Sequence, residues 1–384
     1  MDSPAAKNAK PQPPFQPGDP IPWFALPGNS SANFKIHSVA GIYIVLCFFG
    51  TAADPERLAR LKGVLAHRQL FDDEKLMLFA VATDAAGKSA GTYRDALPGV
   101  RFFFDLDDAL SRRFRTEDGV GVTYLLDPML RVMAAVRFDD PAGHDATIGA
   151  ILAGLPPQDG HANTVLTAPA LLVPRVLEPD LCRTLIQTYE SGQGEDSGFM
   201  REKDGKTVAM LDHAFKRRFD VSIEDEGLRK TLMERVTRRL VPEILKAFHF
   251  RATRMERYLV ACYDAEPGGY FKAHRDNTTK GTAHRRFAVT INLNAGEYEG
   301  GDLRFPEFGT RTYRAPTGGA VVFSCSMLHE ALPVTKGRRY AFLPFLYDEA
   351  AAKIREANNP HLGEGIKPYV QADKPGGGTT KART

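Results

Sequence analysis

The sequence predicts two domains, an α/β layer followed by an α+β domain that ends in a strand-rich sandwich or jelly roll. Three observations carry this. The chain has 384 residues, about twice the length of one ordinary domain. Its first part places continuous apolar runs, 42–49 and 76–83, on either side of a helical stretch. Such runs mark strands buried on both faces of a partly parallel sheet. From residue 255 the pattern changes to short strands broken by Gly and Pro, as in all-β layers.

In order along the chain, residues 1–17 are polar and Pro-rich and read as a disordered tail. The first domain spans 18–155. Its strand 42–49 (IYIVLCFF) leads to a helix from Pro55 to Gln69, with Leu58, Leu61 and Leu65 at helical spacing, and then to strand 76–83. Strands 120–126 and 130–137 flank an Asp127-Pro128 turn, and 145–154 closes the domain as a helix. Residues 156–168, with the polar stretch PPQDGHANT, read as a linker.

The second domain spans 169–350. It opens with two amphipathic helices, Pro179–Tyr189 (Leu181, Leu185 and Ile186 on one stripe) and 225–248 (Leu228, Leu232, Val236, Leu240 and Ile244). Strands follow at 255–263, 286–294, 301–305, 319–325 and 339–347. The polar stretches 190–215 and 277–285 are expected to be loops that shape an entrance. Residues 351–384 form a C-terminal extension whose last part, from about Lys367, reads as disordered.

Composition excludes several classes. With 43% hydrophobic and 25% charged residues, the chain is neither wholly disordered nor fibrous nor an integral membrane protein. A net charge of +3 gives no case for nucleic acid. Residues 1–165 carry 16 basic and 19 acidic side chains, so the basic surplus lies in the second half. There, Lys216-Arg217-Arg218 and Arg285-Arg286 are expected to solvate a face. The four cysteines, Cys47, Cys182, Cys262 and Cys325, form no CxxC pair, which fits reduced thiols in a cytoplasm. No signal-peptide segment and no membrane-length apolar run is visible.

The sharpest chemical signal is His274-Arg275-Asp276 with His329 downstream. Two imidazoles and one carboxylate with open positions are the donor set of non-haem Fe(II) oxygenases. In His-x-Asp, ligands two residues apart can leave a strand on the same side. Taken alone, an HxD triplet is mostly a pair of solvated polar side chains. His284, His249, His213, His161 and His144 read as ordinary core or surface residues. Arg339 follows His329 by ten positions and opens an apolar strand. A buried Arg there can grip a carboxylate by a bidentate fork. Arg338 is its rival, and one residue of parity decides between them.

The stretch Ala261-Cys262-Tyr263 through Gly269-Tyr270, then His274-Arg275-Asp276-Asn277, resembles the prolyl-hydroxylase branch of the 2-oxoglutarate- and Fe(II)-dependent dioxygenases. The likeness is to the ACY…GxY…HxDN run of hypoxia-inducible-factor prolyl hydroxylases. Asn292-Leu293-Asn294, Gly300-Gly301-Asp302-Leu303, Phe305-Pro306-Glu307, His329-Glu330, Pro333 and Arg339-Tyr340-Ala341 extend it over most of 255–347. The resemblance implies a double-stranded β-helix core with His274, Asp276 and His329 on Fe(II). It also implies Arg339 on the distal carboxylate of 2-oxoglutarate, with Tyr263 lining the cosubstrate pocket. O2 would be the oxidant and ascorbate an accessory reductant. The expected reaction is hydroxylation of a peptidyl proline or a related small-molecule, peptide or protein substrate, releasing succinate and CO2. One departure is Asn292, where the oxygen-sensing enzymes carry a second tyrosine; Asn292 acting through water, or Thr290, would take over that contact. Oligomeric state is not readable.

Gly18-Asp19-Pro20-Ile21-Pro22-Trp23-Phe24-Ala25-Leu26-Pro27, strand 42–49, Val81-Ala82-Thr83-Asp84 and Tyr124-Leu125-Leu126-Asp127-Pro128 resemble peroxiredoxins and other redoxins. The resemblance implies a thioredoxin-like fold over 18–155. Where that family places its peroxidatic cysteine, this chain reads Gly50-Thr51-Ala52-Ala53-Asp54-Pro55-Glu56. A peroxidatic thiolate requires a low pKa at a helix N-terminus, whereas Cys47 falls inside an apolar strand. The expectation is a degenerate redoxin domain. The competing reading is a thiol redox enzyme or adaptor whose oxygenase domain acts as a sensor.

Overall fold

The computed structural model describes residues 15–114, 116, 121–138 and 141–370. The expected tail up to Pro14 and the last part of the extension, from Gln371, lie outside them. The chain divides into two compact units, residues 1–167 with 306–310, and residues 168–305 with 311–384.

The first unit is built on a five-stranded sheet in the order Val100–Phe104, Leu76–Ala82, Tyr43–Gly50, Val122–Leu126, Val132–Arg137. The first three strands run parallel and the last two antiparallel. Tyr43–Gly50 and Leu76–Ala82 are buried throughout, as continuous apolar runs require of inner strands. The strand Val100–Phe104 is an addition to the expected set. Helix Pro55–Leu65 starts with proline behind Asp54, whose carboxylate accepts the Glu56 and Arg57 backbone N–H groups. It ends four residues before the expected Gln69, and a 3-10 turn, Arg68–Leu70, follows. The closing helix runs from Pro141 to Ala153. Residues 156–164 are not a free span. Gln158 donates to the Gly41 and Glu74 carbonyls at 3.0 and 2.9 Å, so a polar stretch that reads as linker is an anchor within this unit.

The second unit holds two main sheets. The larger has the order Arg254–Glu256, Phe345–Tyr347, Phe287–Asn292, Arg338–Phe342, Leu259–Asp264, Phe219–Ser222, Glu195–Asp196; Ala320–Ser324 branches from Phe287–Asn292 and carries Leu171–Val173. The smaller has the order Lys216–Arg217, Tyr270–His274, His329–Ala331, Leu303–Arg304, Thr312–Tyr313. Helices Pro179–Ser191, Glu226–Arg239 and Val241–Phe248 contribute Leu185, Leu232, Val236 and Ile244 to one buried cluster with Val260, Val289, Ile291 and Phe342 of the larger sheet. Along Phe287–Asn292 the period of two sends Phe287, Val289 and Ile291 into that cluster, leaving Ala288, Thr290 and Asn292 for the opposite face.

Three expected elements are divided. The helix 225–248 breaks at Leu240 because Pro242 has no N–H and clashes with the preceding turn. The strand 339–347 breaks at Leu343-Pro344 for the same lack of a donor. The strand 255–263 breaks where Arg257 takes φ +68°. The stretch 190–215 is not a loop. It holds Glu195–Asp196 and the hairpin Phe199–Lys203/Lys206–Met210, which turns on Asp204-Gly205, both at positive φ as a two-residue hairpin requires.

Candidate metal centre

His274 ends one strand of the smaller sheet and His329 opens the next. The two face each other in register across the antiparallel pair, with ring centroids 4.3 Å apart. Asp276 lies two residues beyond His274, and its backbone N–H donates to the Cys325 carbonyl at 2.9 Å. Arg275 donates to the Ser326 carbonyl and Asn277 to the Ser326 hydroxyl at 2.7 Å. The HxDN turn is thereby pinned to the segment that delivers His329.

The ligand atoms of His274, Asp276 and His329 lie within 4.8 Å of one another. Among the described residues no other trio of His, Cys, Asp or Glu side chains converges in this way. His274 Nε2 is 3.6 Å from one Asp276 oxygen, and His329 Nε2 is 3.3 Å from the other. The Nδ1 atoms face the Lys272 and Met327 carbonyls at 2.7 and 3.0 Å. A carbonyl can only accept, so each Nδ1 carries the proton and each Nε2 turns a lone pair inward. Burial and the neighbouring His274 push His329 down to about 4, which keeps its imidazole neutral. Burial pushes the Asp276 carboxyl up, but His329 and His274 outweigh it and hold the carboxyl well below its usual range. Phe271 stacks on His274 at 3.5 Å and Phe323 packs on His329 at 4.5 Å between ring centres. Two imidazoles and a carboxylate against apolar walls fit a divalent iron with positions left for other ligands.

His274, Asp276 and His329 line one cavity with Tyr263, Thr290 and Arg339. Arg339 is 2% exposed and its Nε and Nη1 have no hydrogen-bond partner. A buried, unpaired guanidinium is costly unless an anion joins it, so this end of the cavity fits a carboxylate. Parity separates the two arginines. Arg338 points out, its side chain 53% exposed, and bonds Asp264 at 2.7 Å. Gly301 leaves room for Arg339, because a Cβ there would meet Arg339 Cδ at 3.1 Å. Asn292 shares the face of Thr290; its Nδ2 donates to the Ala315 carbonyl at 2.7 Å, and its buried Oδ1 has no partner among the described residues. It is not among the residues lining the cavity.

The structure adds two arginines, Arg218 and Arg257, to the lining, and corrects the reading of 216–218 as a solvated run. Lys216 and Arg218 are each 3% exposed. Arg218 bonds both Asp220 oxygens at 2.7 and 2.6 Å, and Lys216 donates to the Ser197 hydroxyl and the Gly198 carbonyl. The available signal was alternation: lysine, arginine and aspartate at 216, 218 and 220 stand two residues apart, so in extended chain their side chains leave on the same side. Arg285, expected at a solvated face, pairs with the buried Glu256 at 2.7 Å.

Residues 258–347 match the 2OG-Fe(II) oxygenase superfamily, a span that contains all three converging side chains and Arg339. This region is a 2OG-Fe(II) oxygenase domain. A PKHD-type hydroxylase from Synechococcus sp. (strain JA-2-3B'a(2-13)) is 34% identical to the chain over 89 residues, 22% of this chain and 39% of the relative. The chain thus spans about two-fifths of the length of that curated relative. A PKHD-type hydroxylase from Cupriavidus metallidurans is 29% identical over 180 residues, 44% of this chain and 74% of the relative. A solved prolyl-4-hydroxylase from Pseudomonas putida, 19% identical, aligns with 50% of this chain and 96% of its own at a TM-score of 0.36.

Outside the oxygenase domain, the first unit has a cavity lined by Phe48, Gly50, Arg57, Thr83, Asp108, Ser111 and Thr116, with no cysteine on it. Cys47 is fully buried, and burial pushes its thiol up to about 12 against a lowering hydrogen bond with Thr123. Asp54 occupies the N-cap of the following helix, where a low-pKa thiolate would otherwise be stabilised.

Proposed function

We propose that the protein is an Fe(II)- and 2-oxoglutarate-dependent dioxygenase that hydroxylates a peptidyl proline or a related substrate. The observation that carries this is the shared cavity, with an inward-facing His274–Asp276–His329 trio at one place and an unpaired buried Arg339 at another. His274, Asp276 and His329 would hold the iron. Arg339 would bind the distal carboxylate of 2-oxoglutarate, with Thr290 and Tyr263 beside it. Bound iron with 2-oxoglutarate and O2 supplies oxidation of a substrate C–H coupled to decarboxylation of the cosubstrate to succinate and CO2. The chain's own work is to fix the two imidazoles by their backbone bonds, to screen them from water with Phe271 and Phe323, and to orient the cosubstrate by its far end. Hydroxylation is supported by the names of the PKHD-type hydroxylase relatives, and the proline assignment by the ACY and HxDN motifs. In this reading the two sheets of the second unit form the double-stranded β-helix, and the first unit is a redoxin-like shell for substrate or partner binding.

Among the described residues no helix is long and apolar enough to cross a membrane. Four free, buried cysteines support the proposed cytoplasmic setting. The test is succinate formation from 2-oxoglutarate with added Fe(II), in wild type and in His274→Ala. Turnover in wild type with loss in the variant is expected; equal turnover in both overturns the reading.

A further inference from the structure

Arg257 is a long, charged residue in a place where the backbone does not favour one. It lies between the strands Arg254–Glu256 and Leu259–Asp264 with φ +68°, a region that glycine or asparagine enters more readily. Positions of this kind persist where the surroundings hold them and gather at ligand sites. The side chain packs beside the Phe345 ring, 5.1 Å from its centre, and lines the cavity that holds His274, Asp276 and His329.

Its charge is poorly matched. Among the described residues the one carboxylate within ion-pair distance is Asp220, 3.8 Å away. That carboxylate is already taken: Arg218 bonds both of its oxygens, and Ser197 donates to it at 2.5 Å. Burial and the like charge of Arg218 lower the affinity of Arg257 for its own proton, to about 10. The cavity therefore presents more positive charge than its fixed carboxylates balance. In the proposed reaction the cosubstrate does not supply the missing anion, because its keto-acid end goes to the metal and its distal carboxylate to Arg339. The remaining walls include Leu303, Leu343 and Phe345, which suit a compact apolar body.

We propose that Arg257 is a specificity-determining residue, and that the substrate presents a carboxylate to it beside the C–H that is oxidised. This rests on the oxygenase reading above and names the substrate class of the same site. The carboxylate could be the α-carboxylate of an amino-acid-like molecule or an acidic side chain next to the target residue in a peptide.

Two matched probe pairs distinguish these. One is N-acetyl-L-proline against N-acetyl-L-prolinamide. The other is acetyl-Ala-Pro-Asp-Ala-amide against acetyl-Ala-Pro-Asn-Ala-amide. Each is titrated calorimetrically into the full chain with Fe(II) and 2-oxoglutarate under anaerobic conditions. In at least one pair the acid should bind about tenfold or more tighter than its amide, the size of one charge-assisted contact. The responding pair identifies the source of the carboxylate. Arg257→Gln should erase the preference, and Arg257→Lys should keep part of it; the lysine variant decides if the glutamine variant fails to fold. Equal binding of acid and amide in both pairs, or a preference that survives Arg257→Gln, overturns the proposal. Succinate formation by the wild type is measured separately. Its absence beside an intact acid preference rejects the oxygenase reading alone, whereas its presence with equal acid and amide binding rejects the Arg257 proposal alone.

Discussion

Tyr263 and Arg339 stand opposite each other on neighbouring antiparallel strands, and the guanidinium lies 5.0 Å from the centre of the ring. Arg218 approaches the same tyrosine, its Nη1 donating to the phenol oxygen at 3.4 Å. The ring thus touches two guanidiniums with different duties: Arg218 is held by Asp220, and Arg339 has polar atoms to spare.

That spare capacity sets the first prediction. Arg339→Gln keeps much of the side-chain volume and removes the charge. If Arg339 grips the cosubstrate's far carboxylate, KM for 2-oxoglutarate should rise by ~30–100-fold, corresponding to ~2–3 kcal/mol for a charge-assisted contact. Succinate formation against 2-oxoglutarate concentration checks this. Arg338→Gln, on the outward face, should leave KM within about twofold, as surface changes do.

The facing histidines set the second. His329→Ala removes one of three donors, and a ligand loss should exceed the ~10–100-fold cost typical of disturbing an outer-shell partner. Metal analysis after dialysis against micromolar Fe(II) should find iron retained by wild type and lost from His329→Ala and His274→Ala. Retention by either variant would place the metal elsewhere.

The sequence made the site more legible than its frame. The convergence of His274, Asp276 and His329 on one cavity with Arg339 was readable because metal-ligand chemistry would restrict residue type and spacing, and Arg339 faces the cavity while Arg338 faces solvent. The surroundings of Asn292 were not readable, because motif alignment gives a position but not a hydrogen bond, and its Nδ2 donates to the Ala315 carbonyl. Arg257 was invisible as a site residue, and Arg218 was read as part of a solvated charge run although it alternates with Lys216 and Asp220. The placement of Arg257 depends on a left-handed residue and that of Arg218 on its pairing with Asp220, and net composition and charge show neither. Element boundaries failed at Pro242 and Pro344 although both prolines were in view, because apolar periodicity continues across each break.

Gly301 yields a third prediction that probes the position of Arg339 without touching its charge. A Cβ at Gly301 would lie 2.8 Å from Val334 Cγ2 and 3.1 Å from Arg339 Cδ, on a backbone with φ +69°. Gly301→Ala should therefore destabilise the protein by ~1–3 kcal/mol in denaturant unfolding. It should also raise KM for 2-oxoglutarate as Arg339 is displaced. A loss of stability with KM unchanged would show that the Arg339 position tolerates the crowding.

The buried thiol of Cys47 gives the last prediction, which bears on the redox reading of the first unit. Burial holds the thiol up to about 12 in the folded chain, against an ordinary value of 9.0. At pH 8 the folded protein then carries almost no Cys47 thiolate, so iodoacetamide should leave Cys47 unmodified until denaturant is added. The same shift fixes the sign of a stability effect. Below pH 9 the thiol is protonated both folded and unfolded, and its contribution is fully present. Between pH 9 and about 12 the unfolded chain releases the proton first, so stability falls by about 1.4 kcal/mol per pH unit. Other buried thiols and phenols titrate in the same range, so the quantity to measure is the difference between wild type and Cys47→Ala. That difference should be flat up to pH 9 and slope above it. Rapid alkylation of native Cys47 at pH 8, or peroxide consumption lost in Cys47→Ser, would instead make it a reactive thiol and return the first unit to redox chemistry.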